Sequence, residues 1–390
     1  MSSYSSIAAP PAAADSLNSS RRPRNDVLPY EILSAIFSYI SNSHILHLGH
    51  LVFVCRSWSS VILQEAGLWS SIRIDHKLYQ YLSEARSGRV FSYARAADFV
   101  SLCVSRSRSH PLSIILDFSP FRNWSHWAKQ TITRMLLPLL STLVGRNNEH
   151  ALRWHALEWN SLFHVSKIIS ILPPRLPHLK YLRFYSLHWD PGNEPIFPRC
   201  PNLEVVELRE PLKYAGQFFG ECDSPIIKEL LIESWSFEDL RYIAGFRNVL
   251  RLTLCSSLKD VHFKIKAPEK IHLPQLKDLR LKGYVHRDIV GLLSAPSLNK
   301  VEFDHYDSIT SILSHLVSTS IETIAALIPP PSSVASRMII AAALTHLVTS
   351  LHGLKLLRVK RWIHDVMNAS DCPLDTSGIL GHDIHLSIED

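Results

Sequence analysis

The hydrophobic positions near the start of the chain recur with a helical period. Those between residues 28 and 40 predict one apolar stripe on a helix that begins at Pro29: Ile32, Leu33, Ile36, Phe37 and Ile40. A second, short helix is predicted at 44–48 and a third at 51–66, with Leu68 and Trp69 following as apolar anchors. A bundle this small cannot bury all of its large apolar side chains, so the rest of the chain or a partner must cover the surplus.

The hydrophobic pattern changes after about residue 152. An apolar-x-x-apolar-x-apolar motif occurs seven times, at 154–159, 179–184, 203–208, 227–232, 249–254, 276–281 and 298–303. Four of these motifs follow a similar short phrase, which reads LPHLK, CPNLE, LPQLK or APSLN. Units of 22 to 27 residues with one strand each predict a solenoid, in which neighbouring units must stack to bury their apolar positions.

The remaining segments complete the predicted domain organisation. Residues 1–24 are rich in Ser, Ala and Pro and are predicted to form a disordered tail. Residues 75–150 are predicted to form a helical linker and, from the alternation at 112–118, the first strand of the repeat domain. The solenoid is expected to fill 151–390, with an inserted helical pair at 307–350 and further strands at 354–359 and 382–390.

Three phrases near the N-terminus resemble an F-box. LPYEILSAIF, VCRSW and LWSSI stand in the order and at the distances typical of that family, so residues 25–74 resemble an F-box. The repeats that follow resemble an irregular leucine-rich-repeat array. The expected fold is therefore an α/β repeat, in which an N-terminal three-helix F-box precedes an irregular leucine-rich-repeat solenoid. The histidine-rich middle, SHILHLGHLVF, departs from the family pattern and leaves the contacts of the second helix open.

The resemblance also implies partners. F-boxes bind the Skp-type adaptor of cullin–RING ubiquitin ligases, and the rest of the chain recruits the protein to be ubiquitylated. Carried over to this sequence, the adaptor-binding residues would be Leu28, Pro29, Ile32, Leu33, Ile36, Phe37, Val54, Cys55, Trp58 and Trp69, the last four either facing the adaptor or supporting that surface. A three-helix unit also needs an interior, so part of this set must be core.

Side chains alternate along a strand, so the residues between the apolar repeat positions should face a concave surface. Their middle column is predicted to be Glu158, Arg183, Glu207, Leu231, Thr253, Arg280 and Glu302. Mixed charge with nearby tyrosines suits a protein partner better than a polyanion. We predict a substrate-binding patch at Tyr181, Arg183, Tyr185 and Arg209, although these could be solvated strand positions. The basic stretch 259–282 is a second candidate, for an acidic or phosphorylated segment, unless it is only a solvated rim.

Composition sets the remaining limits. The 390 residues are 46% hydrophobic and 19% charged, with a net charge of +6, which permits an acidic partner without indicating nucleic acid. Six cysteines without a C-x-x-C motif suggest reduced thiols in a cytoplasmic or nuclear protein. No secretory signal is visible, and the apolar run at 338–344 is too short to cross a membrane. We therefore expect no nucleic-acid partner and no membrane association.

No constellation of catalytic residues is recognisable. His44, His47 and His50 are spaced by three, but Gly49 interrupts the helix and no Cys or carboxylate completes a metal site. Phosphate-binding loops and hydrolase motifs are absent. We expect no cofactor, no metal and no enzymatic activity. The predicted function is substrate recognition for a cullin–RING ubiquitin ligase; the alternatives are an F-box scaffold outside a ligase and a non-ligase repeat module that binds proteins.

Overall fold

The fold is given by a computed structural model. It describes residues 28–43, 45–75, 77–78, 93–117, 119, 136–160, 171–185, 198–209, 227–233, 243–256, 270–285, 287–309, 312, 321–351, 353–368 and 384–389. The predicted tail at 1–24 lies outside these residues. Seven helices carry labels in this part of the chain: α1 Tyr30–Ser43, α2 Leu46–Leu51, α3 Arg56–Gln64, α4 Tyr93–Arg106, α5 Arg287–Leu292, α6 Val334–Ser350 and α7 Arg361–Met367.

The first three helices form a small bundle closed by a 3-10 turn at Ala66–Trp69. The Phe37 and Trp58 rings pack edge to face, with centroids 5.2 Å apart. The Trp69 indole donates a hydrogen bond of 2.7 Å to the Ile62 carbonyl, which holds the turn against α3. The predicted third helix at 51–66 begins too early, because Cys55 has an extended backbone that separates α2 from α3.

A parallel sheet of twelve strands runs from the bundle to the end of the described chain. In sheet order its strands are β1 Ser71–Asp75, β2 Leu112–Asp117, β3 Trp154–Asn160, β4 Tyr181–Phe184, β5 Val205–Leu208, β6 Glu229–Glu233, β7 Arg251–Ser256, β9 Asp278–Gly283, β11 Lys300–Phe303, β12 Thr323–Ala326, β13 Leu356–Lys360 and β14 His385–Glu389. A second, two-stranded parallel sheet joins β8 Ile271–His272 to β10 Leu293–Ser294.

Each of the seven predicted repeat motifs contains a strand of the large sheet. The apolar positions of neighbouring units pair directly, as Leu182 does with Val206 and Val206 with Leu230, and all three are buried. The phrases before the strands form a shared turn: the backbone N–H of Leu203 donates to the Cys200 carbonyl, and that of Leu276 donates to the Leu273 carbonyl. The first and last residues of these turns are buried, so each repeat stacks on the next through both its turn and its strand.

Two strands of the large sheet lie where the sequence did not predict them. The predicted helical insertion at 307–350 does contain α6, but Thr323–Ala326 is β12 and continues the large sheet. The β-branched Thr323 and Ile324 suit a strand, and the buried Ile321 and Ile324 supply the repeat's apolar positions. Strand β1 was also missed; it pairs with β2 and crosses the predicted F-box boundary at residue 74.

The bundle and the sheet share one hydrophobic core. Leu68 and Trp69 from the 3-10 turn belong to the same buried cluster as Ile72 and Ile74 of β1. Helix α4 packs onto the turn, and the Arg106 guanidinium donates a hydrogen bond of 3.3 Å to the Leu63 carbonyl of α3. The N-terminal bundle therefore continues directly into the first strand of the solenoid.

Candidate protein-interaction surfaces

Helix α1 carries a broad apolar surface, of which one side is buried and the adjoining side is exposed. At helical spacing Leu33 and Phe37 share one side, and both are buried, with 1% and 0% of their surface exposed. Leu28, just before the helix, shares the other side with Ile32 and Ile36, and these three are 41%, 48% and 41% exposed. We call this exposed side the outer face of α1. A helix whose second apolar side is left uncovered is suited to bind a partner.

The predicted adaptor-binding residues therefore fall into three groups. Exposed are Leu28, Pro29, Ile32, Ile36 and Val54, and partly buried are Cys55 and Trp58. Leu33, Phe37 and Trp69 are buried in the bundle. Burial in the bundle does not support the expected contact of Leu33 and Phe37 with the adaptor, which stays a prediction; the Phe37 ring contacts Trp58 of α3. Trp69 is placed to support the bundle from within.

Two exposed aromatic residues were missed by the sequence analysis. Tyr39 is 82% exposed and lies three residues beyond Ile36, on the outer face of α1. Phe53 is 87% exposed, in the turn between α2 and α3 and next to Val54. The helical spacing of Tyr39 was visible in the sequence. The exposure of Phe53 was not, because it depends on where α2 ends.

The second surface is the side of the large sheet that bears the residues between the buried positions. We call it the open sheet face. The predicted middle column is confirmed by the strand register: Glu158 pairs with Arg183, Arg183 with Glu207, and Glu207 with Leu231. The register extends the column beyond the prediction, to Arg73 and Ile115 at one end and to Ala325, Arg358 and Ser387 at the other.

Ion pairs between neighbouring strands run along the open sheet face. Arg183 lies 2.5 Å from Glu207 and 3.2 Å from Glu158. Further along, Arg251 lies 2.6 Å from Glu229 and 3.0 Å from Asp278. The same alternation continues through Arg280 with Glu302, Lys300 with Asp278, and Arg358 with Glu389. Opposite charges on adjacent strands thus neutralise one another across the face.

The four residues predicted to bind substrate lie together on this face. The Arg183 guanidinium lies 5.3 Å from the centre of the Tyr181 ring and 5.6 Å from that of Tyr185, and the Arg209 guanidinium lies 4.5 Å from the Tyr185 ring. Such stacked cation–aromatic contacts stabilise the cluster. Burial alone would lower the pKa of Arg183, but its hydrogen bond to Glu207 and the charges of Glu207 and Glu158 outweigh burial and raise it.

The tyrosines of this cluster are held in their neutral form. Burial, followed by the negative charge of Glu207, raises the pKa of Tyr181, and burial and the charge of Glu158 raise the pKa of Tyr185. Both phenols therefore keep their protons at physiological pH. They offer aromatic surface and a hydroxyl group, which are features common at protein interfaces.

Other candidate sites receive less support. Of the basic stretch 259–282, residues 259–269 lie outside the described part of the chain, and Arg280 within it already pairs with carboxylates. Within the described residues, no group of three His, Cys, Asp or Glu side chains is placed to hold a metal ion. The helices of the described segments include none that is long and apolar enough to span a bilayer.

Comparison with known proteins identifies the domain type of the N-terminal bundle. Residues 26–75 match the family model described as F-box-like. They form an F-box-like domain. The match ends with β1, so this domain supplies the first strand of the sheet.

The comparisons are less specific for the rest of the chain. Among solved structures, the chain is similar to an internalin (inlF) from Listeria monocytogenes, with 10% identity, a TM-score of 0.32, and coverage of 81% of this chain and 89% of that one. No curated protein sequence matches. The leucine-rich-repeat-like architecture rests on the repeat motifs, their shared turns and the parallel register. Domains of these two kinds are typically non-enzymatic modules for protein interaction.

Proposed function

We propose that this protein is the substrate-recognition subunit of a cullin–RING ubiquitin ligase. In this proposal the F-box-like domain binds a Skp-type adaptor, and through it a cullin, while the open sheet face binds a target protein. The chain itself would perform no chemistry. It would raise the concentration of the target near the site of ubiquitin transfer. The ligase would act in the cytoplasm or the nucleus.

The outer face of α1 is the observation that carries the proposal. Leu28, Ile32 and Ile36 keep between two fifths and one half of their surface exposed, although the other side of the same helix is sealed. Covering a Leu- or Ile-sized side chain completely is worth about 1.5–3 kcal/mol, so a partner that covers all three gains a substantial driving force. Part of that gain is offset by the entropy lost on association.

Strand β1, which connects the F-box-like domain to the large sheet, supports the proposal that the open sheet face binds the target. Strand β1 belongs both to the F-box-like match and to the twelve-stranded sheet, and Arg73 on β1 stands in the middle column of the open sheet face. Arg73 lies 3.1 Å from Asp75 and 3.5 Å from Asp117 of β2, which ties the two parts together. A target held on the open sheet face would then keep a defined position relative to the adaptor.

Co-precipitation of the full chain, probed for the adaptor and for the cullin, tests the proposal. We expect both partners with the unmodified chain, and neither with the double variant Ile32→Glu, Ile36→Glu. The matched control is Met338→Glu, Ile339→Glu, because these residues are also exposed and apolar on a helix, 38% and 69% exposed on α6. The control should retain both partners.

The two alternative functions predict different results in the same experiment. A scaffold outside a ligase would bring down the adaptor without the cullin. A repeat module unrelated to ligases would bring down neither. Equal adaptor recovery with the α1 and the α6 double variants would remove the outer face of α1 from the interface, and with it the main support for the proposal.

A further inference from the structure

The centre of the open sheet face is uncharged. Strands β6 and β7 are the sixth and seventh of the twelve strands, and their middle positions are Leu231 and Thr253, which pair directly. Cys255 follows on β7 and is half-buried, like Leu231, while Thr253 is almost fully buried. We call these three residues the neutral centre. In the middle column its neighbours are Glu207, which pairs with Leu231, and Arg280, which pairs with Thr253.

Charged residues around the neutral centre form ion pairs with one another, and we call them the ring: Arg183, Glu207, Arg209, Glu233, Glu229, Arg251, Asp278 and Arg280. Toward the N-terminal strands Arg183 is bound to Glu207 at 2.5 Å, and two residues further along the chain from Glu207, Arg209 lies 3.5 Å from Glu233. These pairs link β4 to β5 and β5 to β6. The ring is therefore closed on the N-terminal side by contacts within the protein.

The C-terminal side of the ring is closed in the same way. Arg251 lies 2.6 Å from Glu229 and 3.0 Å from Asp278, and Arg280 lies 3.4 Å from Asp278. The hydrogen bond to Asp278 raises the pKa of Arg251, burial opposes this, and the charge of Glu229 adds to it. The ring thus contains four guanidinium groups and four carboxylates.

This balance determines which ligand the face can accept. A phosphate or carboxylate placed at the ring would have to displace an existing ion pair, and would then stand next to the displaced carboxylate. An uncharged side chain at the neutral centre disturbs none of the pairs. A polar ring around an apolar contact also excludes water from it, as around the energetic centres of protein interfaces.

We infer that the neutral centre binds one apolar side chain of an unphosphorylated target segment, and that the ring of ion pairs rejects phosphorylated and acidic segments. The inference rests on the proposed function, because it assigns the class of target that the open sheet face recognises. It selects an uncharged segment with an exposed apolar residue.

Lys282 is the residue best placed to bind a phosphorylated segment, which would contradict the inference. It is exposed beside Cys255, and among the described residues no carboxylate lies within 4 Å of its ammonium group. A phosphorylated ligand would have this one ammonium group to bind, without the two-pronged contact that a free arginine offers. Lys282→Ala should therefore weaken the binding of a phosphorylated ligand but not that of an unphosphorylated apolar one.

A bead-bound synthetic peptide library, with Ser, Thr and Tyr present in free and phosphorylated forms, tests the inference. The probe is the full chain purified together with its adaptor. We expect enrichment of unphosphorylated peptides that carry a large apolar residue with uncharged flanks. Leu231→Arg should reduce their binding by about tenfold or more, as expected for the loss of a central interface contact.

Leu356→Arg is the matched control, because Leu356 is a half-buried leucine on the same face, at β13 and outside the ring. It should bind the selected peptides as the unmodified chain does. Equal loss with both leucine variants, enrichment of phosphorylated peptides that depends on Lys282, or no enrichment at all would each overturn the inference. Adaptor recovery, measured on the same samples, reports separately on the proposed function, since Leu231 lies far from α1 in the strand order.

Discussion

The outer face of α1 and the open sheet face are both accessible to other molecules, but they differ in what their side chains already contact. On α1 the exposed groups are apolar, and Leu28, Ile32 and Ile36 lose nothing when a partner covers them. On the sheet the exposed groups are charged, and residues such as Arg183 and Arg251 are already bound to carboxylates of neighbouring strands.

The difference suggests separate roles for the two surfaces. Burial of apolar surface is non-directional and supplies affinity. A face of paired charges gives little net affinity but rejects partners that do not match it. We therefore expect the α1 surface to hold one abundant partner tightly, and the sheet to discriminate among many.

The largest effect is expected on the free energy of unfolding, when substitutions on the buried and the exposed side of α1 are compared. Phe37→Ala should lower the free energy of unfolding by about 3–5 kcal/mol, because it removes a fully buried ring that contacts Trp58. Ile36→Ala, one residue away, should change it by less than about 0.5 kcal/mol. Urea denaturation of both variants measures the contrast. Similar losses for the two would show that Ile36 is covered by this chain itself.

Alkylation of cysteines should reveal how closely the open sheet face is packed. Burial raises the pKa of Cys255 to about 11 and that of Cys103 to about 12, so little of either thiol is ionised at pH 8. We expect both to react with iodoacetamide about a hundredfold more slowly in the folded chain than after denaturation, since the thiolate is the reactive form. Mass spectrometry of the alkylated peptides measures this. Rapid labelling of Cys255 in the folded protein would contradict the packing of the neutral centre.

A smaller effect is expected on adaptor binding. Ile36→Ala should weaken the adaptor complex by about tenfold, which corresponds to the loss of a partly exposed side chain at an interface. Calorimetric titration of purified adaptor into the full chain gives the affinity. Ile339→Ala on α6 is the control, and should leave the affinity unchanged. A loss shared by both variants would point to a general change of the fold.

The smallest effect concerns the ion pairs of the sheet. Arg183 and Glu207 are both largely shielded from solvent, so a double-mutant cycle of Arg183→Met and Glu207→Gln should give a coupling of about 1 kcal/mol in unfolding free energy. High salt should reduce the coupling only weakly, because the pair is partly buried. A coupling of zero would show that Glu207 does not hold Arg183, and would weaken the inference about phosphorylation.

Several features were accessible from local sequence because they depend on local chemistry. The repeat motifs located seven strands of the sheet, and the F-box phrases located the N-terminal domain that the family model confirms at 26–75. The substrate-binding role of Tyr181, Arg183, Tyr185 and Arg209 stays a prediction, although the register brings all four together. The main miss lies inside the predicted helical insertion at 307–350, where Thr323–Ala326 is a strand because it pairs with β11 and β13, a pairing that local sequence does not reveal.

The sequence alone determined the period of the repeats, the order of the elements and the alternation of side chains, because these follow from the geometry of single strands and helices. Only the tertiary structure decided which side of α1 is sealed, since Leu33 and Ile36 look equally apolar in the sequence and differ only in what packs against them. It also decided that the arginines of the sheet are occupied. The partner of each one stands on another strand, more than twenty residues away in the chain, and the register brings the two together.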